Sequence, residues 1–354
     1  MKSNKWSDFV EKNLFTSKED FFVLPYLANT PKIMINSFFE NTIANHYEKE
    51  QVISSDNSFF KAVLRYRTIE EGLWFLSTSI SLKENILAKS FYDSNIQSDY
   101  YTLTFSIFEY EFPLINNKID SKKLLSKCWT FSKPNTRVET YFHKGTSGSF
   151  CNIIFSKKWA SENIFKYCGL DSEVILKFLN SETGFLNFLD IVPKITSNLK
   201  EIDKVLKADI IGKINIEALK NPINTLIYSF FEEVVNENRI QNYTPLKNED
   251  YASLAQAEKI ILQNLSKTFI GVEQIAEMVH ISPTKLKANF KMVYGLSLLQ
   301  YYKQKNVQLA EQLIKNSEIP IKHIATITGY QTASKFAATF KKYTGKLPSE
   351  YRTI

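Results

Sequence analysis

Thr284, Lys287, Ala288 and Lys291 recur at i, i+3, i+4 and i+7, so a helix through them carries all four on one face. Leu286 and Phe290 lie on the opposite face. A lysine on such a face can bond guanine O6 or N7, and a threonine can bond a base edge or touch a thymine methyl. Further along, Ala333, Ser334, Ala337, Ala338 and Lys341 form a matching face opposite Phe336 and Phe340. That second face is small and mostly apolar, suited to methyl contact and poor in hydrogen-bonding groups. Lys291, Lys341 and Lys342 suit phosphate oxygens, which fix position without reading sequence. The alternative use of each lysine is a solvated helix surface.

Catalytic chemistry has little to build on. A metal-binding barrel needs clustered His and carboxylate ligands. Only His46 and His143 precede residue 236, and no HxH occurs. No G-x-S-x-G, phosphate loop or H-E-x-x-H is present. The three cysteines, Cys128, Cys151 and Cys168, form no CxxC pair and sit in apolar contexts, where a buried small hydrophobe is their expected role. The expectation is a protein that is not an enzyme, with no catalytic residue, no metal and no cofactor.

The elements that must position the two lysine-bearing faces form an internal repeat. EQIAEMVHISPTKLKANFKMVYG and KHIATITGYQTASKFAATFKKYTG align Ile275-Ala276 with Ile324-Ala325, Leu286 with Phe336, Phe290 with Phe340 and Gly295 with Gly345. Each copy reads as helix, tight turn, helix, and the small alanine lets the two helices approach. Ser282-Pro283 supplies an N-cap and a first-turn proline in the first copy; Gly329 and Thr332 supply the turn and cap in the second. This is the helix-turn-helix arrangement, whose second helix can enter a major groove. LSLLQYYKQKNVQLAEQLIKN between the copies reads as one long helix, able to hold two reading heads about one DNA turn apart, ~34 Å.

Charge follows the same division. Residues 251–354 hold 14 Lys and Arg against 6 Asp and Glu, whereas the whole chain of 354 residues nets only +7. The basic excess therefore sits in the last part of the chain, as in a polyanion-binding module joined to a neutral one. From about 59 to 155 the sequence alternates like strands: in YTLTFSIFEYEF, Leu103, Phe105 and Ile107 point one way and Thr102, Thr104 and Ser106 the other. The expected fold there is a small antiparallel barrel or sandwich. Helical patterning follows over about 156–235. Asn221-Pro222 reads as a helix start, and Ile223, Leu226, Ile227, Phe230, Phe231, Val234 and Val235 form one apolar stripe. That stripe either packs on its own domain or forms a dimer interface. Residues 236–250 read as a linker.

Residues 251–354 resemble the DNA-binding domain of AraC/XylS-type transcription regulators. The second-repeat signature of that family is matched by IKHIATITGYQTASKFAATFKKYTGKLPSEYR, and IAEMVHISPTKLKANFK fits the first. The resemblance places groove contacts at Thr284, Lys287 and Ala288. Two positions depart from the family: Asn306 and Ala288 stand where arginine is usual. Arg352 is the one arginine of this segment, so neither face carries a bidentate arginine–guanine contact.

The expectation is thus an α+β protein: a strand-rich, cupin-like barrel or sandwich with helices over 1–235, a linker over 236–250, and an all-α double helix-turn-helix domain over 251–354. Its expected function is that of a sequence-specific transcription regulator responsive through its N-terminal domain, with activation and repression both left open by the sequence. The alternative is a catalytic or purely oligomerising N-terminal domain tethered to DNA. Expected partners are double-stranded DNA, RNA polymerase, an unknown small-molecule effector whose pocket residues the sequence leaves unnamed, and a second copy in a homodimer. MKSNKWSDFVEKN lacks a signal peptide's apolar core and no uncharged run approaches ~18 apolar residues, so a cytoplasmic location without membrane contact is expected.

Overall fold

The computed structural model describes residues 3–18, 20–39, 43–112, 122–165, 178–180, 184–189, 195–208, 216–236, 248–316 and 319–352. The chain divides into two compact units, 1–108 with 127–245, and 109–126 with 246–354. The stretch 237–247, most of the expected linker, lies outside the described residues.

In the first unit, α1 (Ser3–Asn13), β1 (Ser17–Lys18), β2 (Phe21–Leu27), α2 (Pro31–Phe39), β3 (Asn45–Tyr47) and β4 (Val52–Asp56) precede the long strands β5 (Phe60–Glu70) and β6 (Leu73–Leu82). There follow β7 (Ile86–Phe91), β8 (Tyr100–Phe112), β9 (Lys122–Ser132), β10 (Glu139–Phe142), β11 (Ser147–Ser156), α3 (Lys157–Ala160), β12 (Phe185–Leu189), α4 (Ile195–Ala208) and α5 (Ile216–Asn236). Strands therefore extend on both sides of the expected 59–155, because short strands such as β3 and β4 are too brief to show alternation. The sheets run β1-β2-β7-β10 and β12-β9-β8-β11-β6-β5-β4-β3. β2 and β7 pair in parallel, so the strand-rich unit is not wholly antiparallel. Gly145, at φ +79°, makes the turn into β11, and a Cβ at Gly148 would lie 2.2 Å from the Ile107 carbonyl oxygen.

The two faces of the central strands go to different places. Leu103, Phe105, Trp129, Phe131, Ile153 and Phe155 are buried in one cluster with Ile202, Leu226, Phe230 and Phe231 of the helices. Thr102, Thr104, Ser106, Thr130, Ser132 and Asn152 turn the other way and line a cavity of about 250 Å³ between the sheets. The apolar face thus meets helices and the hydroxyl face looks into the space between the sheets.

The stripe on α5 is part of that cluster. Ile223, Leu226, Ile227, Phe230, Phe231 and Val234 are each at most 1% exposed. They pack on their own unit and offer no dimer surface; the Val235 side chain lies outside the described residues. Nor does Asn221-Pro222 start the helix: α5 begins at Ile216, with Pro222 inside it. Proline there forfeits one backbone hydrogen bond. Leu219 is fully buried and Lys220 Nζ meets Glu70 Oε2 at 2.5 Å, so tertiary contacts hold the earlier turn.

In the second unit, α6 (Asn248–Gln263) leads to α7 (Val272–Met278) and α8 (Pro283–Tyr294), then α9 (Leu298–Asn316), α10 (Ile321–Ile327), α11 (Ala333–Thr344) and α12 (Pro348–Arg352). Its core holds both copies of the repeat: Ile275, Ala276, Leu286 and Phe290 are at most 1% exposed, as are Ile324, Ala325, Phe336 and Phe340. The 19 residues of α9 span about 28 Å between the two helix pairs.

Candidate nucleic-acid interface

Each copy of the repeat fixes its second helix by the same devices. Ser282 Oγ accepts from the Lys285 backbone nitrogen at 3.3 Å, with Pro283 in the first turn of α8. Thr332 Oγ1 accepts from the Lys335 nitrogen at 3.2 Å and caps α11. Gly295 and Gly345, at φ +70° and +77°, end the two helices in the left-handed region. The tight turns also correspond: His280 takes φ +56° where Gly329 takes +77°. Histidine tolerates the first position, because the left-handed region costs a non-glycine residue only modestly. The second is closed to any side chain, since a Cβ on Gly329 would lie 2.6 Å from the Lys267 carbonyl oxygen.

With Leu286, Asn289, Phe290 and Val293 buried, α8 leaves Thr284, Lys287, Ala288 and Lys291 exposed together. On α11, Ser334, Ala338, Lys341 and Lys342 are exposed, and Ala333 and Ala337 are half-buried beside them. Lys287 Nζ lies 3.4 Å from Glu273 Oε1 on α7, both well exposed. A backbone hydrogen bond at the start of α7, then Lys287, hold the Glu273 carboxyl below its ordinary range. Solvent screens such an exposed pair, so the ammonium is readily released to another anion. Lys285 instead reaches Asp250 at 2.6 Å. Lys335 is also exposed, in the first turn of α11, where the face-by-face reading of the sequence passes over it.

Both departures from the family pattern have a defined place. Ala288 is exposed on α8. Asn306 is fully buried in α9, and its Nδ2 donates to the carbonyl oxygens of Leu265 and Thr328. Arg352 donates to the Ile319 carbonyl oxygen at 2.5 Å. In the first unit, His46 Nε2 lies 2.7 Å from the Tyr66 hydroxyl and its ring stacks on Phe39. Burial pushes the Cys151 thiol up to about 12, as suits an inert core residue. Cys168 lies outside the described residues. No helix among the described residues is long and apolar enough to cross a membrane.

A doubled, capped helix pair on either side of one long helix defines a double helix-turn-helix module. Residues 275–354 match a family model described as a helix-turn-helix domain. The chain is 27% identical over 120 residues to the arabinose operon regulatory protein of Escherichia coli K12, covering 34% of this chain and 39% of that protein. It is 30% identical over 98 residues to the bifunctional transcriptional activator/DNA repair enzyme AdaA of Bacillus subtilis, covering 27% of this chain and 46% of that one. The chain thus spans less than half the length of these curated relatives. Among solved structures, a DNA-binding transcriptional dual regulator from Escherichia coli K-12 aligns with 28% identity and a TM-score of 0.26, over 28% of this chain and 95% of that one. The C-terminal segment is an AraC-type double helix-turn-helix domain.

Proposed function

We propose that the chain is a sequence-specific transcription regulator that binds double-stranded DNA through residues 251–354 and responds to a small molecule through residues 1–235, with 236–250 as the linker. The observation that carries this reading is the pair of exposed faces on α8 and α11, held by matching caps and buried pairs in the basic part of the chain. In it, Thr284, Lys287 and Ala288 meet base edges in one major groove, and Ala333, Ser334, Ala337 and Ala338 meet the next. Lys291, Lys341 and Lys342 take phosphates. Direct readout is modest, and DNA shape supplies part of the specificity. The regulator acts in the cytoplasm as a homodimer on paired half-sites, through a surface other than the buried stripe of α5, and contacts RNA polymerase as an activator. Effector binding shifts the population of conformers competent for adjacent half-sites.

The test is selection of duplexes from a random pool by the full chain, followed by titration at several salt concentrations. Log affinity is expected to fall by about 0.9 per neutralised phosphate for each unit of log salt. Binding to no duplex, or binding without salt dependence, sinks the reading.

A further inference from the structure

The cavity between the two sheets lies wholly within the first unit, and its lining says what kind of molecule suits it. Of the 29 described residues around it, 17 are aliphatic, methionine or phenylalanine, and none of the 29 is Lys, Arg, His, Asp or Glu. Burial holds the lining Tyr26 hydroxyl up at about 12, so it stays uncharged at neutral pH. A carboxylate, phosphate or ammonium entering here would lose its hydration and meet no opposite charge among the described residues. The volume of about 250 Å³ equals the share of roughly eight water molecules, enough for a small organic molecule.

The polar groups of the lining are not equally available. Thr104 Oγ1 donates to Asn152 Oδ1 at 2.7 Å, Ser106 Oγ donates to the Cys128 carbonyl at 3.3 Å, and Ser55 Oγ to the Ile43 carbonyl at 2.5 Å. The Thr104 bond fixes the Asn152 amide: its oxygen is engaged, and its nitrogen is left to donate. Thr78 differs again. It is 5% exposed, and its hydroxyl has no hydrogen-bond partner among the described residues. Strand register puts it in an apolar row, with Leu64 opposite on β5 and Phe150 opposite on β11. Asn152 stands two residues beyond Phe150 on the same face, diagonal to Thr78. A buried hydroxyl without a partner is costly, and a ligand oxygen beside it removes that cost.

We propose that the cavity binds a neutral hydrophobe bearing a carbonyl or hydroxyl oxygen, its hydrocarbon body against residues such as Leu64, Ile80 and Phe150 and its oxygen against Thr78 and Asn152. The role of that molecule as effector rests on the regulator reading above.

The experiment is calorimetric titration of the full chain at neutral pH with 2-nonanone, nonanoate, nonylammonium and glucose. 2-Nonanone is expected to bind, the two ions about tenfold more weakly or worse, and glucose not at all. Thr78→Val keeps the shape and removes the hydroxyl, and should weaken 2-nonanone about fivefold, with Thr78→Ser restoring it. If Thr78→Val does not fold, Asn152→Leu makes the same test at the second polar point. Equal binding of nonanoate and 2-nonanone, no binding of 2-nonanone, or unchanged affinity in both variants overturns the proposal. DNA binding of the full chain, with and without 2-nonanone, separates the two claims. Ketone binding with unaltered DNA binding leaves the ligand class standing and sinks the effector role. DNA binding with no ketone uptake leaves the DNA-binding reading standing and overturns the ligand class.

Discussion

Asn306 in the middle of α9 donates a 2.6 Å hydrogen bond to the carbonyl oxygen of Thr328, the residue that closes α10. The same Nδ2 donates to the Leu265 carbonyl at 2.9 Å, just beyond α6. One buried amide thereby ties the turn of the second helix pair to the beginning of the unit, at a position where the family resemblance leads one to expect arginine. Tyr302 adds a parallel tie through the Lys267 carbonyl at 2.5 Å.

Asn306→Leu is expected to orphan two carbonyl groups, each costing about 1–3 kcal/mol. Denaturant unfolding of the full chain, followed by helical circular dichroism, should show the α-helical unit melting earlier. An unchanged midpoint would mean that the two bonds contribute nothing net.

On DNA, Lys287→Ala should cost about 1–3 kcal/mol at the preferred site and relax selectivity at one or two base pairs. Lys342→Ala should weaken all sequences alike and lower the salt slope by about one contact. Ala337→Asp should abolish binding without disturbing Phe336 or Phe340. Glu273→Gln, which frees Lys287 from its ion pair, should tighten binding slightly. Titrations on preferred and scrambled duplexes at two salt concentrations check all four. If Lys287→Ala lowers both affinities equally, Lys287 contacts only phosphate.

Phe230→Ala should destabilise the first unit by about 3–5 kcal/mol, because its ring is fully buried against Trp129 and Phe231. Phe230→Glu should unfold that unit. Recovery of a folded, soluble Phe230→Glu monomer would return the stripe to an interface role.

Glu70 links β5 to α3 and α5 through Trp159 Nε1 at 2.6 Å and Lys220 at 2.5 Å. Partial burial works to raise its pKa, but the Lys220 and Trp159 hydrogen bonds prevail and hold it below the ordinary 4.5. A lowered carboxyl contributes stability above its unfolded pKa and loses it as pH falls through the folded one. Stability of the wild type should therefore drop below about pH 4.5, and Glu70→Gln should flatten that part of the curve. Thermal melts from about pH 3 to pH 7 measure it; identical profiles would remove Glu70 from the acid response.

The sequence by itself determined the second unit. Its helices are set by local signals, Ser282-Pro283 and Thr332 at the starts and Gly295 and Gly345 at the ends, and its core by i,i+4 pairs such as Phe336 and Phe340. The same spacing put Thr284, Lys287, Ala288 and Lys291 on one exposed face, because a helix face follows from position alone. In the first unit the alternation of Leu103 and Phe105 with Thr102, Thr104 and Ser106 was equally legible, but alternation assigns two faces without saying what each will meet. Only the tertiary structure decided that helices cover the apolar face and that the hydroxyls look into a cavity. It also decided that Phe230 and Val234 serve the core, and that α5 begins before Pro222. In each case the deciding contact joins residues far apart in the chain, Phe230 with Trp129 and Lys220 with Glu70, and the energy of such burial and pairing outweighs the local preference that the sequence displays.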